Sequence, residues 1–418
     1  MSQQKTEASI ITIGDELLIG QTIDTNSAWM AQELNKIGIW VQRRVAVGDR
    51  WDDIWKALDE EARHSRIILI TGGLGPTADD ITKPLLCQYF GGKMVTDPQA
   101  LANVRHIFEM LKRPMIDRNL RQADVPDVCT VIQNKRGTAP GMWFEKNDRI
   151  FVSMPGVPHE MKGMMTHDVI PQLLERFDVS PVLHRTLLTA GIGESFLAER
   201  ISEFEAMLPK NIKLAYLPSY GMVKLRLTTM GDRPGLEAEL EAEFDMLKQQ
   251  VTDVMVVDAD KTLPQVVAEL LLERRQTLAT AESCTGGLVA ALLTEIAGSS
   301  AVFERGFVVY SNRAKEEMLH VPGDLLADFG AVSEPVARAL AEGALHESRA
   351  NLSVAITGIA GPGGGTGMKP VGLVHFASAR ENRSIRHEEH LFGDIGREKV
   401  RLEAVRVALR MLQDGLEA

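Results

Sequence analysis

The chain has 418 residues, of which 44% are hydrophobic and 25% are charged, a globular composition that excludes a long disordered or collagenous protein. Its 46 basic and 57 acidic residues give a formal net charge of −11, so no global electrostatic attraction draws it to nucleic acid or anionic lipid. Its length predicts two to three domains, and its 3 cysteines (Cys87, Cys129 and Cys284) favour a reduced cytoplasm over a disulfide framework or a cysteine zinc site.

Targeting and membrane signals are weak throughout the chain. The apolar runs are short and interrupted by charged residues, which predicts that no segment crosses a membrane. The opening sequence MSQQKTEAS lacks an apolar core, so we expect no secretory leader and a cytoplasmic protein.

The first third of the chain alternates between β-branched runs and amphipathic helices. Strands are predicted at 8–14, 39–47 and 66–71, and helices at 26–38, 51–64 and around Leu85. Thr25 or Asn26 is the expected cap of the first helix. Residues 124–155 look like shorter antiparallel strands, and a last helix is expected from about His159 to Phe177. The β-α-β-α order predicts a doubly wound α/β domain.

A different pattern begins at Pro181, where we expect a small α+β module. Within it, strict alternation over residues 222–228 predicts a half-buried strand. From Lys261 onward the α/β alternation returns, with strands in GFVVY, LSVAIT and VGLVHFASA. The prediction is therefore an α/β protein with two doubly wound domains joined by a small α+β module. The expected bounds are 1–175, 176–258 and 259–418.

Three loops of the last domain carry the most chemistry, over residues 281–287, 310–315 and 357–365. Each follows a predicted strand, and the carboxyl ends of parallel strands are where α/β sites form. Ser311 is the expected cap of the next helix, which places Lys315 about one turn inside it. A serine near a desolvated lysine is a workable pair of nucleophile and base, so Ser283 and Lys315 are candidates.

The residue types alone leave other interpretations open. Serine and lysine are common, so the pair also fits an N-cap serine and a surface lysine. Cys284 is a rival nucleophile, although a small buried residue at a helix start is the simpler interpretation. The HEEH run at 387–390 lies on a predicted strand and does not match a zinc helix, whose histidines need helical spacing.

The last domain resembles the nicotinamide-nucleotide amidohydrolase family, the C-terminal domain of CinA proteins, in TAESCTGGLVAALLTEIAGSSAVFERGFVVYSNRAKEEML, ITGIAGPGGG and KPVGLVHFA. The resemblance spans about residues 260–415. It implies hydrolysis of the carboxamide of nicotinamide mononucleotide to nicotinic acid mononucleotide and ammonia, without a cofactor. Ser283 then falls on the nucleophile and Lys315 on the base.

The same resemblance implies further site residues. Tyr310 and Thr357 are expected in the catalytic group. The expected substrate-binding residues are Glu282, Thr285, Gly286, Gly358, Gly361, Arg397 and Arg401. Backbone amides near Thr285 and Gly286 are the expected oxyanion site, and either Arg397 or Arg401 is expected to hold the nucleotide phosphate.

The first domain has a glycine-rich loop and several carboxylates at predicted strand ends. Amides of the loop at 71–80 could cradle a phosphate, with Gly72, Gly73, Gly75 and Thr77 as binding residues. The carboxylates expected to hold Mg²⁺ bridged to that phosphate are Asp15, Glu16, Asp80 and Glu160. Singly, each of these residues also fits an ordinary turn or cap. His159 stays open as a base or a phosphate contact.

This domain resembles the molybdopterin-binding fold of molybdenum-cofactor enzymes and of the CinA N-terminal domain, over about residues 8–172 and most specifically in TGGLGPTADDIT. Asp80 falls on the aspartate of the family's Gly-Gly-x-Gly-x-x-x-x-Asp pattern. GDELL, DTNS and PGVPHEM favour the CinA branch, which implies hydrolysis of ADP-ribose to AMP and ribose 5-phosphate. That reaction needs Mg²⁺ or another divalent metal, and K⁺ stays open as a second cation. The alternative is a molybdopterin- or nucleotide-binding module in a competence-linked sensor or interaction protein.

The middle segment resembles the KH-like module found between the two CinA domains. KH domains grip a nucleic-acid backbone with a G-x-x-G loop, whereas residues 191–194 read Gly-Ile-Gly-Glu. We therefore expect a spacer or dimer contact rather than an RNA-binding surface. The expected partners are nucleotides and a second copy of the chain.

Overall fold

The computed structural model describes residues 6–77, 79–219 and 221–417, so the first five residues of the stretch expected to carry no leader lie outside it. The chain forms two compact units. One comprises Met1–Leu183 and Thr229–Glu237, and the other His184–Thr228 and Ala238–Ala418. None of the helices in the described ranges has the length and apolar character needed to cross a bilayer.

Among the described residues, the first unit contains eight complete strands and eight complete α-helices. Its strands are β1 Glu7–Ile13, β2 Trp40–Val47, β3 Ile67–Thr71, β4 Met94–Thr96, β5 Asp124–Pro126, β6 Thr130–Ile132, β7 Gly141–Lys146 and β8 Arg149–Met154. Its helices are α1 Asp15–Leu18, α2 Thr25–Lys36, α3 Trp51–His64, α4 Thr82–Phe90, α5 Pro98–Met110, α6 Asp117–Leu120, α7 Pro158–Met164 and α8 Ile170–Arg176. A 3-10 turn covers Arg121–Ala123, and a π-helical turn over Met165–Val169 joins α7 to α8.

The main sheet of this unit has the strand order β2-β1-β3-β8-β7-β6, and β4 pairs with β5 apart from it. β1 is parallel to β2 and β3, and β3 is parallel to β8. The prediction of antiparallel strands over 124–155 is wrong for β8, which is antiparallel only to β7. The physical reason is that the apolar run of β8 is buried on both faces inside the sheet, where it joins the parallel strands.

Apolar side chains cover both faces of this sheet. Because successive residues of a strand point to opposite faces, Ile10 and Leu69 enter one core cluster, while Ile11 and Ile68 enter the other. Helices α2, α7 and α8 pack on the first face, and α3 and α4 pack on the second.

The cap of α2 is Asp24, whose carboxylate accepts the N–H of Ser27, so the prediction of Thr25 or Asn26 is wrong.

Most of the segment predicted as a small α+β module lies in the second unit. Its elements are β9 Val182–Ala190, α9 Glu194–Arg200, α10 Ser202–Met207, β10 Lys213–Ser219, β11 Met222–Met230, α11 Leu236–Gln250 and β12 Met255–Val257. They form a sheet in the order β10-β11-β9-β12. Side chains along β11 alternate between buried and half-buried, which confirms the predicted half-buried strand.

The remainder of this unit is a second α/β domain. Its elements are α12 Leu263–Glu273, β13 Leu278–Glu282, α13 Leu288–Thr294, β14 Phe303–Val308, α14 Asn312–Leu319, α15 Gly323–Phe329, α16 Glu334–His346, β15 Leu352–Gly358, β16 Leu373–Arg380, β17 Arg386–Leu391 and α17 Arg397–Glu417, with a 3-10 turn at Ser299–Ala301. The sheet order is β14-β13-β15-β16-β17. β13 is parallel to β14 and β15, whereas β16 is antiparallel to β15 and β17. One core cluster buries α12 and α17 on this sheet, and another buries α16.

Both main sheets contain a point at which the strand order reverses. The chain leaves β1 for β2 on one side and returns to β3 on the other, and it leaves β13 for β14 before returning to β15. Ligands of open α/β sheets bind at the carboxyl ends of the strands beside such a point. The loops after β1 and β3, and those after β13 and β15, therefore define the two candidate sites.

Candidate active sites

Ser283 directly follows β13 at the reversal point of the C-terminal sheet. Its N–H donates to the carbonyl of Ile356 on β15 at 3.0 Å, which continues the strand pairing by one residue. The register pairs Glu282 with Ile356 and therefore places Thr357 next to Ser283. The side chain of Ser283 is 8% exposed, so its hydroxyl lies at the edge of the protein interior.

Lys315 lies in the first turn of α14 and is 1% exposed, which makes the interpretation as a surface lysine wrong. Ser311 caps this helix by accepting the N–H of Ala314 at 3.0 Å, as the sequence predicts. The amine lies 3.2 Å from Ser283 Oγ. Residues 32 positions apart in the chain are thus brought into hydrogen-bond contact.

The surroundings of the Lys315 amine suit a neutral base. Its Nζ donates to the carbonyl oxygens of Val309 at 2.8 Å and Tyr310 at 3.3 Å. Burial lowers the pKa of Lys315, because the interior disfavours its charged form. A neutral amine has two N–H groups, one for each carbonyl, and its lone pair is then free to accept the proton of the Ser283 hydroxyl.

Cys284, the rival nucleophile, is in the opposite electrostatic state. Its side chain is 5% exposed, and burial raises the pKa of its thiol to about 12. The thiolate is the reactive form of cysteine. At neutral pH Cys284 is therefore a protonated, buried side chain, and the geometry favours Ser283.

Glu282 is used by the protein itself, which corrects its predicted role in substrate binding. Its two carboxylate oxygens accept the N–H groups of Val289 at 3.1 Å and Ala290 at 2.9 Å. These amides belong to the first turn of α13 and lack helical partners. The side chain is 1% exposed, so Glu282 anchors the helix that follows the serine loop.

The expected oxyanion amides are also partly engaged. The N–H of Gly286 donates to the carbonyl of Ser283 at 3.1 Å and closes a turn. Gly286 has φ 61°, which favours glycine at this turn. The N–H of Gly286 is thus engaged by the backbone in this conformation and α13 begins only at Leu288, while the oxyanion role stays a prediction.

Tyr310, Gly361 and Arg397 come together on the more exposed side of the site. Arg397, the first residue of α17, donates from Nη1 to the carbonyl of Gly361 at 3.0 Å and from Nη2 to Tyr310 Oη at 3.2 Å. Tyr310 is 61% exposed. The arginine thus links the loops after β14 and β15, and a guanidinium with five N–H donors keeps others for a ligand.

Arg401, the other candidate for the phosphate, faces the serine loop. Its Nη2 donates to the carbonyl of Thr285 at 2.7 Å. Within the described ranges, Arg401 Nε and Thr285 Oγ1 are buried and have no hydrogen-bond partner. Arg401 therefore supports the loop from within, whereas Arg397 is exposed to an incoming anion.

Thr357 and Gly358 form the end of β15. Thr357 is 1% exposed, and its hydroxyl donates to the carbonyl of Ala331 at 2.7 Å. A Cβ on Gly358 would lie 2.6 Å from Val374 Cγ2, which explains the glycine. Both residues shape the loop beside Ser283, and the hydroxyl of Thr357 is committed to the backbone.

In the first unit, the glycine loop packs tightly against the end of β1. Gly72 has φ 114°, and a Cβ there would collide with the carbonyl oxygen of Ile13. Asp80 accepts the N–H groups of Gly75 and Thr77, both at 2.8 Å, and the Thr77 hydroxyl at 2.5 Å. Asp80 therefore folds the loop, and this corrects its expected role as an available metal ligand.

Asp15 is paired with Asp49, a residue that the sequence reasoning missed. The N–H of Asp15 donates to Asp49 Oδ2 at 3.1 Å, and the N–H of Asp49 donates to Asp15 Oδ1 at 3.2 Å. Burial raises the pKa of Asp49, and the charges of Asp15, Glu16 and Asp79 add to this shift. A signal was present, since Gly-Asp follows β1 and also β2.

The four carboxylates expected to hold a metal do not form one cluster. Within the described parts of the chain, no group of three His, Cys, Asp or Glu side chains could hold a metal ion. Glu160 lies half-buried and accepts from Asn134 Nδ2 at 2.6 Å, and burial raises its pKa. The Asp15–Asp49 pair fits Mg²⁺, which binds in proteins through one or two carboxylates together with substrate phosphates.

Asn26, a cap candidate within the DTNS motif, also lies at this site. Its Nδ2 donates to the carbonyl of Gly156 at 2.7 Å, while its Oδ1 is buried and without a partner among the described residues. His159, open as a base or phosphate contact, is exposed at the start of α7. Asn26 thus joins α2 to the loop after β8, which contains the PGVPHEM motif.

Three family models match consecutive parts of the chain. A model described as Probable molybdopterin binding domain matches residues 9–175, and one described as Damage-inducible protein CinA KH domain matches residues 184–255. The CinA C-terminal domain model matches residues 260–416. The three matches follow one another in the order expected from the sequence.

Similar proteins cover nearly the whole chain. A CinA-like protein of Cytophaga hutchinsonii is 45% identical over 380 residues, which is 90% of this chain and 91% of the relative. A CinA-like protein of Flavobacterium psychrophilum is 42% identical, covering 97% of each chain. The crystal structure of competence/damage inducible protein CihA from Agrobacterium tumefaciens is 52% identical with a TM-score of 0.36, and it covers 37% of this chain and 96% of its own.

Proposed function

The chain belongs to the CinA family, and we propose that its C-terminal domain hydrolyses the carboxamide of nicotinamide mononucleotide with Ser283 as the nucleophile. The observation that carries this proposal is the 3.2 Å separation of Ser283 Oγ from the buried Lys315 amine. A serine hydroxyl is a weak nucleophile until a base takes its proton. Lys315 is the group in contact with it, and its lowered pKa suits that task.

The reaction follows from these two groups. Lys315 takes the hydroxyl proton as Ser283 Oγ attacks the carboxamide carbon, and the protonated amine then gives that proton to the departing ammonia. Water attacks the resulting ester with Lys315 again as the base. This step releases nicotinic acid mononucleotide and restores the serine hydroxyl. Arg397, exposed at the start of α17, binds the nucleotide phosphate, while Arg401 positions the serine loop through Thr285.

The test is the release of ammonia and nicotinic acid mononucleotide from nicotinamide mononucleotide by the purified chain. Ser283→Ala should lose roughly 10⁴-fold or more in kcat, because the attacking group is gone. Cys284→Ala is the matched control, since it changes the adjacent residue and should keep most of the activity. Loss of activity in the Cys284 variant alone would transfer the nucleophilic role to the thiol.

We further propose that the N-terminal domain hydrolyses ADP-ribose to AMP and ribose 5-phosphate with a divalent metal. Asp15 and Asp49 would hold Mg²⁺, which supplies charge neutralisation at a diphosphate and activation of water. The glycine loop after β3 supports this proposal, because Asp80 folds it into a turn that can approach a phosphate closely.

The second test is the formation of AMP from ADP-ribose in the presence of Mg²⁺. Asp49→Asn should reduce this rate by about 100-fold, since one of two carboxylates is lost. Glu109→Gln, at an exposed carboxylate of α5, is the control.

The alternative is a molybdopterin-binding module, which the match to a molybdopterin binding domain favours. It predicts that molybdopterin binds and that ADP-ribose is left intact.

A further inference from the structure

A cavity of about 530 Å³ lies beside the glycine loop of the first unit. Neither Asp15 nor Asp49 is among its lining residues. The loop contributes Gly75 and Thr77, and the other side is lined by the start of α4 and by residues 118–124. Three of its lining residues are cations: Lys83, Arg118 and Arg121. The sequence reasoning gave none of these three a role.

Lys83 is an unusual residue for a cavity wall because it is 7% exposed. Lysine is almost never fully buried without a partner. Its Nζ donates to the carbonyl of Gln122 at 2.5 Å, the one hydrogen bond of this amine that the described residues provide. Burial lowers its pKa to about 8, opposed by the charges of Asp124 and Asp80, so the amine is mostly protonated at pH 7. Two of its three N–H donors are left for a ligand.

The two arginines add available positive charge at the mouth of the cavity. Both Arg118 and Arg121 are exposed, and within the described ranges neither has a carboxylate within 4.0 Å of its guanidinium. The carboxylates of the lining already have neutral donors. Asp80 accepts the loop amides, and Asp124 accepts the hydroxyl of Thr96 at 2.6 Å. Three cations against two partnered carboxylates leave a net attraction for an anion.

Gln122 supplies the complementary feature of the lining. Its side-chain Oε1 is buried and has no hydrogen-bond donor among the described residues. A buried acceptor without a partner is costly, and a ligand hydroxyl would satisfy it. The cavity thus combines donors for a phosphate with an acceptor for a hydroxyl, and a sugar phosphate carries both groups.

We propose that this cavity binds the ribose-phosphate half of the substrate, with Lys83, Arg118 and Arg121 on its phosphate and Gln122 on a ribose hydroxyl. The inference rests on the proposed hydrolysis of ADP-ribose and extends it, because it assigns the non-adenosine half to one end of the glycine loop. The cleaved bond then lies between this cavity and the Asp15–Asp49 pair.

The test is calorimetric binding of ribose 5-phosphate, AMP, inorganic phosphate and ribose to the full chain. Ribose 5-phosphate should bind better than inorganic phosphate or ribose, because it alone offers both phosphate and sugar hydroxyls. Lys83→Met and Arg121→Ala should each weaken this binding about tenfold or more. Arg105→Ala, an exposed arginine of α5 outside the cavity lining, is the control and should bind normally.

The outcomes separate the subsite from the reaction. Arg121 is exposed, so Arg121→Ala should not affect folding. If this variant binds ribose 5-phosphate as tightly as the wild type does, the proposed subsite is wrong. If Lys83→Met and Arg121→Ala weaken the binding of AMP as much as that of ribose 5-phosphate, the assignment of the cavity to the ribose-phosphate half is wrong. If the variants lose ribose 5-phosphate but the wild type leaves ADP-ribose intact, the subsite stands and the proposed hydrolysis fails. If the subsite and the proposed hydrolysis are both correct, the KM for ADP-ribose rises about tenfold in the two cavity variants.

Discussion

The protonation state of Lys315 decides whether the C-terminal site has a base. The amine is enclosed by the carbonyls of Val309 and Tyr310 and the hydroxyl of Ser283, and no carboxylate forms an ion pair with it among the described residues. Burial without a counter-charge disfavours the ammonium form, and this lowers the pKa of the amine. Burial therefore makes the amine a weaker base but leaves more of it unprotonated near neutral pH, where it can accept a proton.

This state predicts the pH dependence of carboxamide hydrolysis. Because the pKa of Lys315 is lowered, kcat/KM should rise with pH along one limb and level off below the pKa of a free lysine. The measurement is a pH profile of ammonia release. Lys315→Arg should be inactive throughout, since a guanidinium stays protonated. An unchanged limb in Lys315→Arg would assign the titration to another group.

At the scale of single residues, the sequence predicted which residues meet at the loop ends better than it predicted their hydrogen bonds. Ser283 and Lys315 were identified because the loop motifs resemble a family, and the contact between them agrees with that assignment. Glu282 was expected to bind substrate only because the resemblance implied it. Only the fold reveals that the amides of Val289 and Ala290 reach back to it.

At the scale of elements, the anchoring of α13 by Glu282 should control the local stability of the serine loop. Glu282→Ala leaves the buried amide of Val289 and the partly buried amide of Ala290 without acceptors, and a buried group without a partner costs roughly 1–3 kcal/mol. We expect faster amide hydrogen exchange in the peptide covering residues 283–294, with a smaller effect for Glu282→Gln, which keeps one acceptor. Exchange as slow as in the wild type for Glu282→Ala would mean that the carboxylate does not hold the helix.

The sequence predicted the existence of strands and helices more easily than their partners. The run at Ile67–Thr71 is apolar because both faces of β3 are buried, and such a pattern is local. The apolar run of β8 resembles that of β3, but the direction of β8 differs between its two neighbours and depends on which strand it pairs with. The cap of α2 was missed by one residue because Asp24, Thr25 and Asn26 are all suitable cap types.

At the scale of the whole molecule, two separate compact units carry two different proposed chemistries. The proposed hydrolysis of ADP-ribose depends on a divalent metal, whereas that of the carboxamide uses the side chains of Ser283 and Lys315 for its chemistry and needs no metal. Treatment of the full chain with EDTA should therefore abolish AMP formation and leave ammonia release unchanged. Restored AMP formation on adding Mg²⁺ is the control. Loss of both activities with EDTA would contradict this division.

The two reversal points could be predicted only in part from the order of elements. A β-α-β order implies parallel neighbours, but it does not say on which side of β1 or β13 the next strand is added. Asp49 shows the consequence, because it follows β2 and meets Asp15 only through the pairing of β1 with β2. Sites assembled from distant strand ends therefore need the fold, even where each loop is visible in the sequence.

The most direct test of the central claim is mass spectrometry of the chain quenched in acid during turnover of nicotinamide mononucleotide. The account predicts a nicotinoyl-nucleotide ester on the peptide that contains Ser283, absent from Ser283→Ala. An adduct on Cys284, or undiminished ammonia release by Ser283→Ala, would contradict it.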